Sequence, residues 1–350
     1  MLTYWLLFGF WAIGSLQSPA AREQTRYYFL FIFGAVVTAL IIGLRFEVGG
    51  DWKNYLEIYQ NMYFLEFRQA IFFSDPGYAF VSWIAARTDL GIVFVNFACA
   101  VIFSSGLFYL CWKQPNPYLA ALVAVPYLII VVAMGYTRQS AAIGLICFAV
   151  ADSSERRLVR IVVLVGIAAL FHKSAALMLP VILGPVLARN YLLGIIGGIA
   201  CVVLFYLVLR SSADALLSQY VTSNYDSQGA LIRVAMNVLA AALFLYFRKR
   251  IDLPYFQKFY WTICSIIALL SIVALSAASA SSGVDRFSLY LIPLQLIIYC
   301  RLPILASKDG KPVPSVLLAV LFYSFVVQAT WLFKADNAEY WLPYKSALWG

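Results

Sequence analysis

Apolar runs separated by short polar breaks recur along the whole chain, near residues 2–16, 27–44, 91–111, 117–134, 139–151, 158–171, 174–188, 191–209, 231–247, 258–276, 286–302 and 314–333. A helix needs roughly 20 mainly apolar residues to cross a bilayer. The pattern predicts an all-α, polytopic integral membrane bundle of about 12 transmembrane helices, with about two either way because several runs are short. No polar block is long enough for a separate soluble domain, so residues 1–350 read as one membrane domain. The first run has neither the basic start nor the small-residue cleavage site of a signal peptide and is expected to be retained as a span.

Composition agrees: the chain is 63% hydrophobic and 12% charged, against about 25% charged in an average soluble protein. The net charge of +9 does not indicate nucleic acid, because Lys and Arg are scattered singly or in short clusters between apolar runs. That is the pattern of membrane topology rather than of a phosphate-tracking groove. The clusters at Arg22 and Arg26, Lys113, Arg156 to Arg160, Arg189, Arg248 to Lys258 and Arg301 to Lys311 fall on alternate loops, which the positive-inside rule makes cytoplasmic. These loops hold 14 basic and five acidic residues, and the opposite side holds 11 of each. Both termini are then expected outside.

Three outward segments are long enough to build something. Residues 45–90 carry acids and aromatics, with a short apolar piece, Tyr78 to Ala86, that reads as an interfacial or re-entrant helix. Residues 210–230 form a polar loop. Residues 334–350 form an aromatic tail with Trp and Tyr suited to the headgroup level. The small-residue tract 274–283 (ALSAASASSG) reads as close helix packing.

Candidate chemistry lies in basic residues on the outward side. Arg138, Lys173, Arg233 and Arg286 stand at the outer starts of four spans that run inward. A helix N-terminus is partly positive and carries unpaired N–H groups, so it disfavours a cation and welcomes an anion. Four such residues point to positive helix ends converging on an anion. The competing reading is snorkelling to lipid phosphates, or pairing with acids such as Asp285, but snorkelling gives no reason to choose helix starts.

His172, the one histidine in the chain, stands beside Lys173 at an outer boundary. Its ordinary pKa near 6.5 suits proton transfer. A lone histidine is more often a hydrogen-bonding residue, which favours ligand contact over catalysis. Arg45 to Tyr59 (RFEVGGDWKNYLEIY) supplies Glu47 and Asp51 as candidate bases around the Gly49–Gly50 turn, unless they only pair with Arg45 or Lys53. The six cysteines sit in or beside apolar runs without a CxxC pair and read as small buried side chains. There is no GxxxxGKS/T, GxGxxG, HExxH, GxSxG or Asp-x-Asp motif, which argues against ATP energy and a nucleotide-sugar donor.

Five segments, RFEVGGDWKNY at 45–55, YTRQSAAIGL at 136–145, FHKSAALMLP at 171–180, VDRFSLYLIP at 284–293 and WLPYKSAL at 341–348, carry a resemblance to the EpsG-like branch of Wzy-type polysaccharide polymerases. They occur in the family's order and span nearly the whole chain. Gly50 stands where the family more often has Thr or Ser, and Asp51 itself is intact.

The resemblance implies a GT-C-like helical enzyme of the bacterial inner membrane, multi-pass, with its site facing the periplasm. It would join oligosaccharide repeats linked to undecaprenyl pyrophosphate into O-antigen, capsule or exopolysaccharide, requiring no metal or other cofactor. Membrane lipid and a chain-length regulator protein are the further partners it implies. Carried onto this sequence, Arg45, Arg138, Arg233 and Arg286 would hold pyrophosphate with Lys173 and His172 beside them. Asp51 or Glu47 would be the base, and Trp52, Tyr55, Tyr136, Asp285, Tyr290, Trp341 and Tyr344 would contact sugar. A flippase or exporter of lipid-linked sugars would need a wide basic path through the bundle. A membrane O-acyltransferase would want its histidine near a cytoplasmic or mid-membrane acyl donor. A polymerase-assembly subunit without chemistry is the third alternative.

Overall fold

The computed structural model describes residues 1–17, 25–189, 192, 194–197, 199, 203, 230–277 and 281–348. Most of the expected 191–209 span and of the 210–230 loop lies outside these residues. In chain order the α-helices are α1 (Leu2–Ser15), α2 (Thr25–Gly43), α3 (Trp52–Asn61), α4 (Phe67–Phe73), α5 (Pro76–Arg87), α6 (Gly91–Trp112), α7 (Pro117–Ala124) and α8 (Thr137–Ala151). They continue as α9 (Leu158–Phe171), α10 (Met178–Leu187), α11 (Ala230–Phe247), α12 (Tyr255–Ala277), α13 (Ser281–Ser288), α14 (Pro293–Tyr299), α15 (Leu302–Leu305) and α16 (Pro314–Lys334). The β-pairing among the described residues is an isolated bridge between Arg45 and Ser346.

This is an all-helical membrane protein. Among the described residues, four helices are long and apolar enough to cross a bilayer: Thr25–Gly43, Gly91–Trp112, Tyr255–Val273 and Pro314–Lys334. Six more apolar stretches are shorter, 10–17 residues, among them Thr137–Ala151 and Lys173–Leu187. The outer helices show how such a sequence sorts its faces. On α2, Tyr27, Phe31, Thr38 and Ile42 are buried, while Phe29, Phe33 and Val36 are exposed. A helix with apolar residues all round suits a medium as apolar as the core.

The centre is built from α6, α7, α8 and α14. Gly106 and Gly144 let α6 and α8 cross at backbone distance, and a Cβ on Gly144 would lie 2.5 Å from Phe103 Cα. Asn116 caps α7 by accepting from the Leu119 N–H at 3.0 Å, with Pro117 behind it. The helix then widens into a π-helical stretch, Val125–Ala133, and every residue from 117 to 133 is buried. Pro126, which has no N–H for the preceding turn, stands at the changeover.

Residues 45–90 hold three helices: α5, started by Pro76, spans the 78–86 piece, and α3 and α4 precede it. The 334–350 tail folds back as a 3₁₀ turn, Asp336–Trp341, with Trp341 3% exposed. Its indole N–H donates to the Ile130 carbonyl at 2.8 Å, and Tyr344 donates to the Ile41 carbonyl at 2.8 Å.

Candidate active site

The tail fixes the segment after α2. Phe46 N–H donates to the Lys345 carbonyl, Ala347 N–H to Leu44 and Gly49 N–H to Tyr340, at 3.1, 2.8 and 2.8 Å. Gly49 has φ +109°, and a Cβ there would collide with the Met134 carbonyl, so only glycine closes this turn without strain. The turn delivers Asp51 to the N-cap position of α3, yet its carboxylate makes no capping bond to that helix. Burial pushes the Asp51 carboxyl above the usual carboxylate range, against the Arg286 and Arg138 charges that pull it down.

Arg138 is the second residue of α8, an end that a cation disfavours by about 0.3–1 kcal/mol. Its partners come from other elements. Nη1 donates to Asp75 Oδ2 at 2.9 Å and to Ser74 Oγ at 3.2 Å, and the guanidinium lies 5.6 Å from the centre of the Tyr55 ring. Asp75 also accepts the backbone N–H of Lys173, and burial pushes its carboxyl up against the Arg138 and Lys173 charges.

The FHKS segment is a break in the bundle. α9 ends at His172, which has extended backbone, and a 3₁₀ turn, Lys173–Leu177, leads into α10. His172 Nδ1 lies 2.5 Å from Ser174 Oγ and 3.4 Å from the Tyr290 hydroxyl, and Ser174 donates to Tyr290 at 3.2 Å. Burial first, then the Arg138, Arg286 and Lys173 charges, hold the imidazole down at about 3, so it is neutral at physiological pH. Gln139 on α8 donates to the Arg286 carbonyl at 2.5 Å, which ties α13 to the same niche. The Arg286 side chain is exposed. The groups gathered here are thus Asp51, Tyr55, Asp75, Arg138, His172, Lys173, Arg286 and Tyr290.

Other expected site residues have different surroundings. Arg45 is 1% exposed and donates to the Ile42 carbonyl, Asn96 and Thr137, so its charge is committed to protein acceptors. Glu47 is 51% exposed and pairs with Lys345 at 2.6 Å. Arg233 is buried in the first turn of α11 and donates to the Tyr127 hydroxyl at 3.0 Å. Arg286 does not begin a helix but stands in the last turn of α13, where a cation is favoured, because α13 forms ahead of the apolar run. Trp52, Tyr55 and Trp341 were expected as exposed sugar platforms, but they are buried, as Tyr344 is in part, because core packing and backbone acceptors claim them. Tyr136 is half-buried at the N-cap of α8, and the side chain of Asp285 lies outside the described residues. An apolar hollow of about 460 Å³ between α2 and α6, lined by residues such as Phe31, Val36, Leu40 and Phe97, includes none of the charged groups.

Sequence reasoning missed Asp75, Ser74 and Ser174. Asp75 precedes Pro76, and that pair reads as ordinary helix-start punctuation. Its one signal was a carboxylate in a mostly apolar outward segment.

A model of the EpsG family matches residues 27–346, nearly the whole chain. No curated protein and no solved structure matches.

Proposed function

Because the chain belongs to the EpsG family, whose members have a polysaccharide-polymerase type of role, we propose that it joins oligosaccharide repeats carried on undecaprenyl pyrophosphate at the periplasmic face of the bacterial inner membrane. The reading includes a GT-C-like arrangement of about 12 crossings. What carries it is the convergence of Arg138, Lys173 and Arg286 on a niche that also holds Asp51 and neutral His172.

In the reaction, an acceptor hydroxyl attacks the anomeric carbon of a second chain. The carbon–oxygen bond to pyrophosphate breaks, its electrons leave with the lipid pyrophosphate, and the acceptor proton passes to Asp51. Arg138, Arg286 and Lys173 stabilise the charge that develops on the leaving group. A carboxylate pushed up by burial is a better base than an ordinary one, whereas an imidazole held at about 3 is a weak one. His172 therefore orients ligand, held in place by its Ser174 and buried Tyr290 network, and the half-buried Tyr136 contacts sugar.

The test is incubation of purified protein with its cognate lipid-linked repeat. A ladder of chain lengths is expected, and its absence with intact, folded protein rejects the polymerase reading. Orientation is tested separately with a cysteine at Phe64, which is 87% exposed. It should react with an impermeant thiol reagent from the periplasmic side, and labelling only after the inner membrane is permeabilised reverses the topology.

A further inference from the structure

We propose that Asp75 is a positioning residue: its carboxylate, seated where the start of α5, the first turn of α8 and the α9–α10 break meet, fixes the guanidinium of Arg138 towards the departing anion. The inference rests on the proposed role of Arg138 at an anionic leaving group, and nothing in the chemistry above used Asp75.

Three observations carry it. First, Asp75 holds the N-cap position of α5 but makes no capping bond to that helix. Asp is favoured at N-caps because its carboxylate accepts the free N–H groups of the first turn. Here that local bond is forgone, and the carboxylate accepts instead from Arg138 Nη1 at 2.9 Å and from the Lys173 backbone N–H. Second, the guanidinium is held on more than one side, because Ser74 Oγ accepts from the same Nη1 at 3.2 Å and the Tyr55 ring lies 5.6 Å away. A long, flexible side chain is thereby kept in one orientation, which is the condition for transition-state stabilisation without reorganisation. Third, the α5 turn is pressed onto the end of α9. A Cβ on Gly77 would lie 3.1 Å from the Leu170 carbonyl, two residues before His172. The carboxylate therefore links Arg138 to the backbone of the His172–Lys173 break. The Asp75 carboxylate is already occupied by the Arg138 Nη1–H and the Lys173 backbone N–H, which separates its part from that of Asp51.

The test is a double-mutant cycle on the detergent-purified full-length protein, using Asp75→Asn, Arg138→Ala and the pair. Polymerisation rate, affinity for inorganic pyrophosphate and thermal midpoint are read for each. Asp75→Asn should lower the rate roughly 10-fold or more, the loss of one charge-assisted contact, with a fall in kcat larger than any rise in KM and a midpoint close to wild type. In the Arg138→Ala background the same substitution should change neither rate nor pyrophosphate affinity, because the group it positions is gone. Multiplying losses, or a wild-type rate in Asp75→Asn, overturns the proposal. Should Asp75→Asn not fold, Asp75→Glu keeps the charge and moves it by one methylene. It should lose rate in the wild-type background and none in Arg138→Ala, and any other pattern overturns the proposal. If wild type makes no polymer, the polymerase reading falls while the cycle is still decided by pyrophosphate affinity.

Discussion

The helix α8 carries a charged cluster at each end, and the two ends solve opposite problems. At its N-terminus stands Arg138, and just past its C-terminus stands Asp152, each the sign that the helix dipole disfavours at that end. Asp152 is surrounded by Lys113, Arg157 and Arg160 at 3.4, 2.6 and 3.4 Å, and it accepts a short hydrogen bond from Tyr109. Burial opposes ionisation there, but the Tyr109 hydroxyl and the cations outweigh it and hold the Asp152 carboxyl below the usual range. Asp75, at the other end, is held above it. The two carboxylates have similar side-chain exposure, 16% and 13%. Asp75 is the deeper, with Arg138 as its one ion-pair partner among the described residues.

The cations differ more. Those around Asp152 are 39–48% exposed, so water and salt settle their excess charge. Arg138 is 25% exposed and shares its niche with Lys173 and Arg286. An excess of positive charge that is half-removed from water is best satisfied by a bound anion. On the function proposed above, one end of the helix is an anchor and the other is the site.

The strongest way to break this contrast is Asp51→Asn. Loss of a general base costs roughly 10²- to 10⁴-fold in rate, and the variant should still bind donor and insert into the membrane. Retention of more than about a tenth of the rate would remove Asp51 as the base. The pH profile sharpens the same point. Because burial raises the Asp51 pKa, the rate should climb with pH along a limb placed above the ordinary carboxylate value of about 3.9. That limb should vanish in Asp51→Asn and survive in His172→Gln, since an imidazole held at about 3 does not titrate between pH 6 and 7.

Arg138→Ala and Arg286→Ala come next, each expected to lower rate or donor affinity roughly 10- to 100-fold. Lys at position 138 should recover only part, because a single ammonium cannot keep the Nη1 contacts to Asp75 and Ser74 and also offer an anion the two-pronged contact of a guanidinium. Wild-type rates in both Ala variants would put the anion site elsewhere.

Trp341→Phe should lower stability by about 1 kcal/mol through the lost bond to Ile130 and leave KM unchanged. A raised KM for sugar acceptor with unchanged stability would return Trp341 to the site.

The smallest effect belongs to the anchor. Asp152→Asn should cost at most about 1 kcal/mol, since its partners are exposed and screened, and should not change kcat. The Asp152 pKa is shifted in the opposite direction to that of Asp51. The Asp152 pKa is depressed, so its stabilisation is present above the unfolded value of about 3.9 and is lost as pH falls through the lower folded one. Unfolding followed against pH checks this.

The sequence by itself determined that this is a helical membrane protein, because apolar runs in a bilayer must satisfy their backbone internally. It also singled out segments that the fold brings together: Asp51, Arg138, His172, Lys173, Arg286 and Tyr290 all lie in the five segments picked out by order and spacing, and charge at a membrane boundary is costly enough to stand out in a chain that is 12% charged. Which of the conspicuous residues share the niche and which are tied to core and backbone was decided only in three dimensions. Arg45 and Trp341 look as suited to a ligand as Arg138 and Tyr136, but Ile42, Asn96 and Thr137 claim the first, and Ile130 claims the second. Asp75 was the reverse case, a residue that reads as local helix punctuation and instead reaches Arg138 from 63 positions away. A side chain's partner is a property of what packs against it, and along a chain this apolar the partners come from segments that no local pattern pairs.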